Sequence, residues 1–303
     1  MFSRLMLALW IVSALAVPTV SAQPATPAEC KSQALRSGNY GKDVIWLPTP
    51  DEVVHRMLKM ADTSSDDFVV DLGAGDGNIV ITAAKEFGAR ALGIEYEPEL
   101  VEYASCMARI ENVADRVEIR QGDIFKEDFS EADVVTLYLL PQLNLCVRHR
   151  LLELEPGTRV TSHAFSMDDW MPDEQNDVDA RIVYLWIVPA RVGGNWSFRD
   201  EDGNTRFNVN LNQVFQEIDG DAIVNNNRYP LVNAALKGNQ IQFEFDNGQG
   251  ATHALTGSVQ NGQIKGVLQT PRGRIPVSGA VQGRPVTGEW AAMAPNCAHF
   301  YSR

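Results

Sequence analysis

The stretch FVVDLGAGDGN, Phe68 to Asn78, decides the fold. The apolar run Phe68–Leu72 reads as a buried strand. It opens directly on Gly73-Ala74-Gly75-Asp76-Gly77, and an apolar stripe at helical spacing begins at Asn78. Gly73 and Gly75 let the backbone turn tightly and approach a ligand where a Cβ would clash. The following helix offers that ligand its unpaired N–H groups. A strand, a glycine loop and a helix in this order form the first unit of a parallel α/β sheet.

The alternation continues downstream. Further strands are expected at Arg90–Glu95, Arg116–Gln121, Ala132–Tyr138, Thr158–His163 and Arg181–Val188, with helices over Asn78–Phe87, Glu97–Asn112 and Leu143–Leu154. Upstream, Thr49-Pro50-Asp51-Glu52 has the form of a helix start with Thr49 as cap, and the helix runs to about Met60. Beyond Val188 the texture changes. Asn and Gly become frequent and short alternating runs replace helical stripes. Turns are expected at Asp202-Gly203, Asp219-Gly220, Asn247-Gly248, Asn261-Gly262 and Arg272-Gly273. The alternation slips at Asn212-Gln213-Val214-Phe215, which suggests a β-bulge. This half reads as a small antiparallel barrel or sandwich, joined through Pro189–Gly194.

At the amino end, Arg4 precedes the apolar run Leu5–Val17, and Val20-Ser21-Ala22 places small residues at a cleavage site. This is the pattern of a signal peptide cut after Ala22, too short to span a bilayer comfortably. The expected divisions are a leader at 1–22, an α/β domain at 23–190 and a β domain at 191–303. The expected location is periplasmic or secreted, with an uncleaved leader acting as membrane anchor as the alternative. Four cysteines follow the leader: Cys30, Cys106, Cys146 and Cys297. Their spacing fits no zinc signature and no metal is expected. A bridge between Cys30 and Cys297 would tie the ends together, and the helical spacing around Cys106 suits a buried free thiol. The net charge of −13 is the sum of −14 over residues 1–190 and +1 beyond them, and it argues against a nucleic-acid partner. An acidic face suits either a basic acceptor or simple solubility.

The glycine loop alone is weak evidence, so its surroundings must assign it. The spacing is GxGxG and not GxGxxG, and Asp71 places a carboxylate where a pyrophosphate would be repelled. S-adenosylmethionine (SAM), with its cationic sulfonium and amino groups, suits such acidic company. Glu95 ends the second strand within Gly93-Ile94-Glu95-Tyr96, where a carboxylate can accept ribose hydroxyls. The third strand leads into Gly122-Asp123-Ile124, where Asp123 can accept from an adenine amino group beside the apolar Ile124. All three carboxylates fall at carboxyl ends of successive strands, the usual ligand edge of an open α/β sheet.

On these motifs residues 67–165 resemble a class I SAM-dependent methyltransferase. The resemblance implies a Rossmann-like, mainly parallel sheet and a cofactor set of Asp71, Gly73, Gly75, Asp76, Glu95, Tyr96, Asp123, Ile124 and Tyr138. Two flanks, Ile45-Trp46-Leu47-Pro48-Thr49-Pro50 and Tyr138-Leu139-Leu140-Pro141, are similar to the small mitochondrial-type protein-lysine methyltransferases and their bacterial relatives, which act on membrane proteins. The sequence departs from the class in showing only one clear strand, Arg181–Val188, after the fifth, so the sheet edge is expected to be truncated or completed by the second domain. It also lacks an Asn-Pro-Pro-Tyr-like tetrad, which argues against amide or base-amino methylation.

Methyl transfer chiefly requires orienting the acceptor and the methyl group. Tyr138 and His163 are the candidates for the acceptor end; His163 is either a base or a structural histidine. Asn144 either bonds the acceptor or caps a helix. Trp46, Trp170 and Trp186 read as packing residues. The acceptor is expected to be a protein, with lysine as the implied target, or a small molecule. The alternative is an exported, non-catalytic SAM- or ligand-binding protein on the same scaffold.

Overall fold

The computed structural model describes residues 30, 46–248, 250–286, 288–292 and 297–302. The leader lies outside them. The first unit holds α1 (Asp51–Met60), β1 (Phe68–Leu72), α2 (Asn78–Phe87), β2 (Arg90–Glu95), α3 (Pro98–Ile110), β3 (Val117–Gln121), β4 (Val134–Leu137), α4 (Pro141–Leu151), β5 (Arg159–His163), β6 (Glu174–Val178) and β7 (Arg181–Ile187). Their sheet has the order β3-β2-β1-β4-β5-β7-β6. The first five strands run parallel, and β7 and β6 are antiparallel additions at one edge. Strand order therefore reverses at β1/β4, and the crevice at such a switch point is where open α/β sheets bind ligands.

Strand parity decides the two layers. Val69 and Val134 face one side with Val53, Val54, Met57 and Leu58 of α1 and Ile79 to Ala84 of α2. Val70, Leu72, Val135 and Leu137 face the other, against Leu143, Cys146, Val147 and Leu151 of α4. The alternation of side chains along a strand requires this division once both faces carry helices.

Several sequence expectations are corrected. Thr49 does not cap α1; Pro50 occupies the cap position, without a side-chain bond. Asn144 does not cap α4, which already begins at Pro141; it is fully buried within that helix. The sheet edge is not truncated, because β6 completes it. Its sequence, Glu174-Gln175-Asn176-Asp177-Val178, is polar and largely exposed, so it carries no hydrophobic alternation to betray an edge strand. The cysteines pair as Cys30–Cys106 and Cys146–Cys297, and neither end is tied to the other. Apolar helical spacing around Cys106 is common to a buried thiol and a buried disulfide, so it could not separate them.

The second unit comprises β8 (Gly194–Arg199), β9 (Arg206–Val214), β10 (Glu217–Val224), β11 (Asn227–Pro230), β12 (Val232–Lys237), β13 (Gln240–Asp246), β14 (Thr252–Gln260), β15 (Gln263–Thr270) and β16 (Gly273–Val281). They form one antiparallel sheet, β11-β10-β9-β8-β16-β15-β14-β13-β12. It curls until β10 lies against β12, so the result is a nearly closed barrel. Trp196, Phe198, Phe207, Phe243 and Phe245 fill the interior. The short helix α5 (Ala298–Tyr301) follows.

Asn261-Gly262 makes the expected two-residue hairpin, with positive φ at both positions. Asp219-Gly220 does not turn; it lies inside β10. Gly220 has φ +146°, and a Cβ there would overlap the carbonyl of Asn210 on the paired strand. The expected bulge at Asn212–Phe215 is instead the end of β9, where Phe215-Gln216 forms the hairpin loop to β10. Phe215 keeps its positive φ because its buried ring stacks on Trp170 of the first unit, 5.8 Å between centroids, and meets Trp290 at 5.2 Å. Gln216 adds two hydrogen bonds across the same junction, accepting from the Trp170 indole and donating to the Met171 carbonyl. The two units thus share one hydrophobic core.

Replacing Gly220 by alanine should destabilise the protein by at least about 2 kcal/mol through backbone strain and steric overlap. Urea unfolding followed by tryptophan fluorescence would measure it, and an unchanged midpoint would refute this account of β10.

Candidate functional site

The glycine loop is held against the end of β2. The N–H groups of Gly73 and Ala74 both donate to the Ile94 carbonyl, at 2.9 and 3.0 Å. Gly75, with φ +55°, donates its N–H to Oε2 of Glu95 at 2.8 Å, and Glu97 donates its N–H to Oε1 at 2.9 Å. The Glu95 side chain is therefore locked by two backbone bonds. Each carboxylate oxygen still has a further lone pair to offer. A side chain at Gly75 is excluded because the Trp46 indole lies directly on it.

Asp71, 2% exposed, lies one residue from the end of β1, one strand away. Its register partner on β4 is Thr136, whose hydroxyl donates to Oδ1 at 2.7 Å. Burial, opposed by the Thr136 bond and reinforced by the charges of Asp76 and Glu95, pushes the Asp71 carboxyl up to about 7. Burial also raises Asp76 and Glu95. Among the described residues no Lys or Arg forms an ion pair with any of these three carboxylates. Concentrated, desolvated negative charge of this kind is stabilised by a cationic ligand. The residues therefore fit SAM, whose sulfonium and amino group supply that charge.

The structure brings Asp71, Gly73, Gly75, Asp76 and Glu95 together around one loop. Asp123 follows β3 beside them, since Gly122 donates its N–H to the Glu95 carbonyl. Its Oδ1 accepts from the Phe125 N–H at 3.0 Å, and Ile124 beside it is half-buried. Tyr96 is 47% exposed, at the rim. Tyr138, at the end of β4, stacks on His163 with centroids 4.0 Å apart, and Phe165 continues the row at 6.4 Å.

His163 is buried, and Nδ1 lies 3.5 Å from the Thr49 hydroxyl. Burial, aided by the positive charge of Arg181, lowers its pKa to about 4. It is neutral near pH 7, which suits the structural role. Asn144 donates to the Ser162 hydroxyl at 3.2 Å and the Phe165 carbonyl at 3.1 Å, fixing the loop that carries this aromatic row.

Sequence reasoning missed Thr136, the contact of Thr49 with His163 and the position of Trp46 on Gly75. A threonine inside the apolar run Val134-Val135-Thr136-Leu137 was the available signal for the first. Nothing local marks the other two, because their partners are remote in sequence.

Asp71 yields a pH prediction. Its folded-state pKa of about 7 lies above the ordinary 3.8, so the folded state favours the protonated form. The associated cost is absent below about pH 4, grows as pH rises, and reaches about 4 kcal/mol above pH 7. Asp71→Asn should therefore melt at least about 4 °C above the wild-type protein at pH 8 and close to it at pH 4. Scanning calorimetry showing the same difference at both pH values would overturn this.

The comparisons with known proteins agree with this geometry. The family model described as the ANTKMT methyltransferase domain matches residues 71–174. A protein-lysine N-methyltransferase of Saccharolobus islandicus is 42% identical over 156 residues, which cover 50% of this chain and 97% of that protein. A lysine N-methyltransferase of Xenopus laevis, named for an ATP synthase component, is 36% identical over 42% of this chain and 56% of its own length, so only about half of that relative is matched. A solved structure described as an RNA methyltransferase from Salinibacter ruber with S-adenosyl-L-homocysteine is 51% identical, covering 48% of this chain and 96% of its own, with a TM-score of 0.48. The chain belongs to the protein-lysine N-methyltransferase family of class I SAM-dependent methyltransferases.

Proposed function

We propose that this SAM-dependent methyltransferase acts on lysine side chains of a protein acceptor, outside the cytosol. The observation that carries the reading is the pair of buried carboxylates Asp71 and Glu95 with the half-buried Asp76 in the glycine loop, with no cation paired to any of the three among the described residues. Gly73 and Gly75 would admit the methionine portion of SAM, with Asp71 and Asp76 facing its positive charge. Glu95 would take the ribose hydroxyls, Tyr96 would cover the rim, and Asp123 with Ile124 would receive the adenine. Bound SAM supplies a methyl group activated by the sulfonium.

The chain's own task is then orientation. Tyr138 and its aromatic row form a wall for the acceptor, and neutral His163 does not repel an incoming ammonium. A lysine must shed its proton before it attacks, and a desolvated apolar wall favours the neutral amine. The lysine assignment draws on the named activities of the relatives and on the net charge of −13, which favours a basic acceptor over a nucleic acid. Export draws on the leader pattern and on the two disulfides, which persist in oxidising compartments.

Titration calorimetry should show SAM binding, weakened at least about tenfold by Glu95→Ala. With tritiated SAM and periplasmic extract, label should appear in methylated lysine after acid hydrolysis. Label confined to RNA or small molecules would refute the lysine reading, and binding without any transfer would favour a non-catalytic role.

Sequencing of the mature protein should begin at Gln23; an intact Met1 would refute cleavage.

A further inference from the structure

Beyond the barrel, Cys297 to Tyr301 pack on the first unit against α4 and the loop that follows β3. Cys297, fully buried, is bonded to Cys146 of α4. Phe300 then stacks on Phe125 with centroids 5.1 Å apart, and Tyr301 meets the same ring edge-on at 5.0 Å. The Tyr301 hydroxyl donates to the Cys146 carbonyl at 2.8 Å, and its ring packs against His149.

Phe125 is two residues past Asp123, and its N–H donates to Oδ1 of the Asp123 carboxylate, whose Oδ2 lies 3.7 Å from the Lys126 ammonium. The N–H groups of Lys126 and Glu127 close the same turn on the Asp123 carbonyl. One turn along α4 from Cys146, Arg150 donates to the carbonyls of Ile124 and Glu127 at 2.7 and 2.6 Å. A single helix thus anchors both the loop that begins at Asp123 and the tail that presses on it.

We propose that Phe300 and Tyr301, latched by the Cys146–Cys297 bridge, are positioning residues for nucleobase recognition. By holding the Phe125 ring they keep the Asp123 turn in the conformation that selects adenine. The proposal rests on the assignment of Asp123 to the adenine amino group. It also gives the β domain a role in the reaction, since that domain delivers the tail. Half of this chain accounts for 97% of the archaeal relative, so the other half has no counterpart there.

The test uses the full chain and two ligands, S-adenosylhomocysteine and S-inosylhomocysteine, which replaces the adenine amino group by a carbonyl oxygen. Calorimetry should show the wild-type protein preferring the adenosyl ligand by about tenfold or more, the worth of a hydrogen bond to a carboxylate. Phe300→Ala should weaken the adenosyl ligand by a similar factor, leave the inosyl ligand nearly unchanged, and so abolish the preference. Phe300→Tyr should restore it, and the double variant Cys146→Ser/Cys297→Ser should resemble Phe300→Ala. Should Phe300→Ala not fold, Phe300→Leu removes the aromatic stack with less loss of volume and is read in the same way. Retained preference in both the Phe300 and the cysteine variants overturns the proposal, as does equal weakening of both ligands. A wild-type protein that binds the two equally removes the adenine assignment of Asp123 itself, and the proposal with it.

Discussion

The site depends on a carboxylate kept out of water. Asp71 lies one residue from the end of the interior strand β1, buried, with one hydroxyl donor and two neighbouring acids. Such a group is costly in the unliganded protein and favourable once positive charge arrives. The surrounding geometry follows from that constraint. Thr136 must sit opposite on β4, the glycine loop must come close enough for Gly75 to hold Glu95, and Trp46 must close the loop from outside. Binding energy for a cationic cofactor is in this sense already stored in the apo fold.

The second constraint is the junction between the two units. Phe215 leaves its own hairpin to complete the core under Trp170 and Trp186, and the tail crosses back through Cys297 to Phe125. The barrel interior is filled by its own aromatic side chains. Its visible contribution is therefore mechanical: it braces the face of the sheet on which α4 lies. That helix in turn positions the loop after β5 through Asn144 and Arg148 and the loop after β3 through Arg150.

The parallel sheet was legible because buried strands and amphipathic helices alternate with clean turn signals between them. Asp71, Glu95 and Asp123 were legible because strand ends are fixed by that alternation. The polar edge strand Glu174–Val178 was not, since edge strands need no apolar face. Gly220 was misread as a turn because Asp-Gly is a turn signal, whereas here glycine serves a close approach between paired strands. Phe215 broke the alternation of β9 because its partner is Trp170, in another unit.

By itself the sequence determined the fold class, the cofactor edge and the change to an antiparallel second half, because these rest on local periodicity and on residue types at strand ends. Only the tertiary structure decided which cysteines pair, that His163 is a buried neutral partner of Tyr138, and that the last residues press on the Asp123 loop. Those outcomes depend on which surfaces meet after folding. Groups 151 residues apart, such as Cys146 and Cys297, leave no local pattern that could announce their contact.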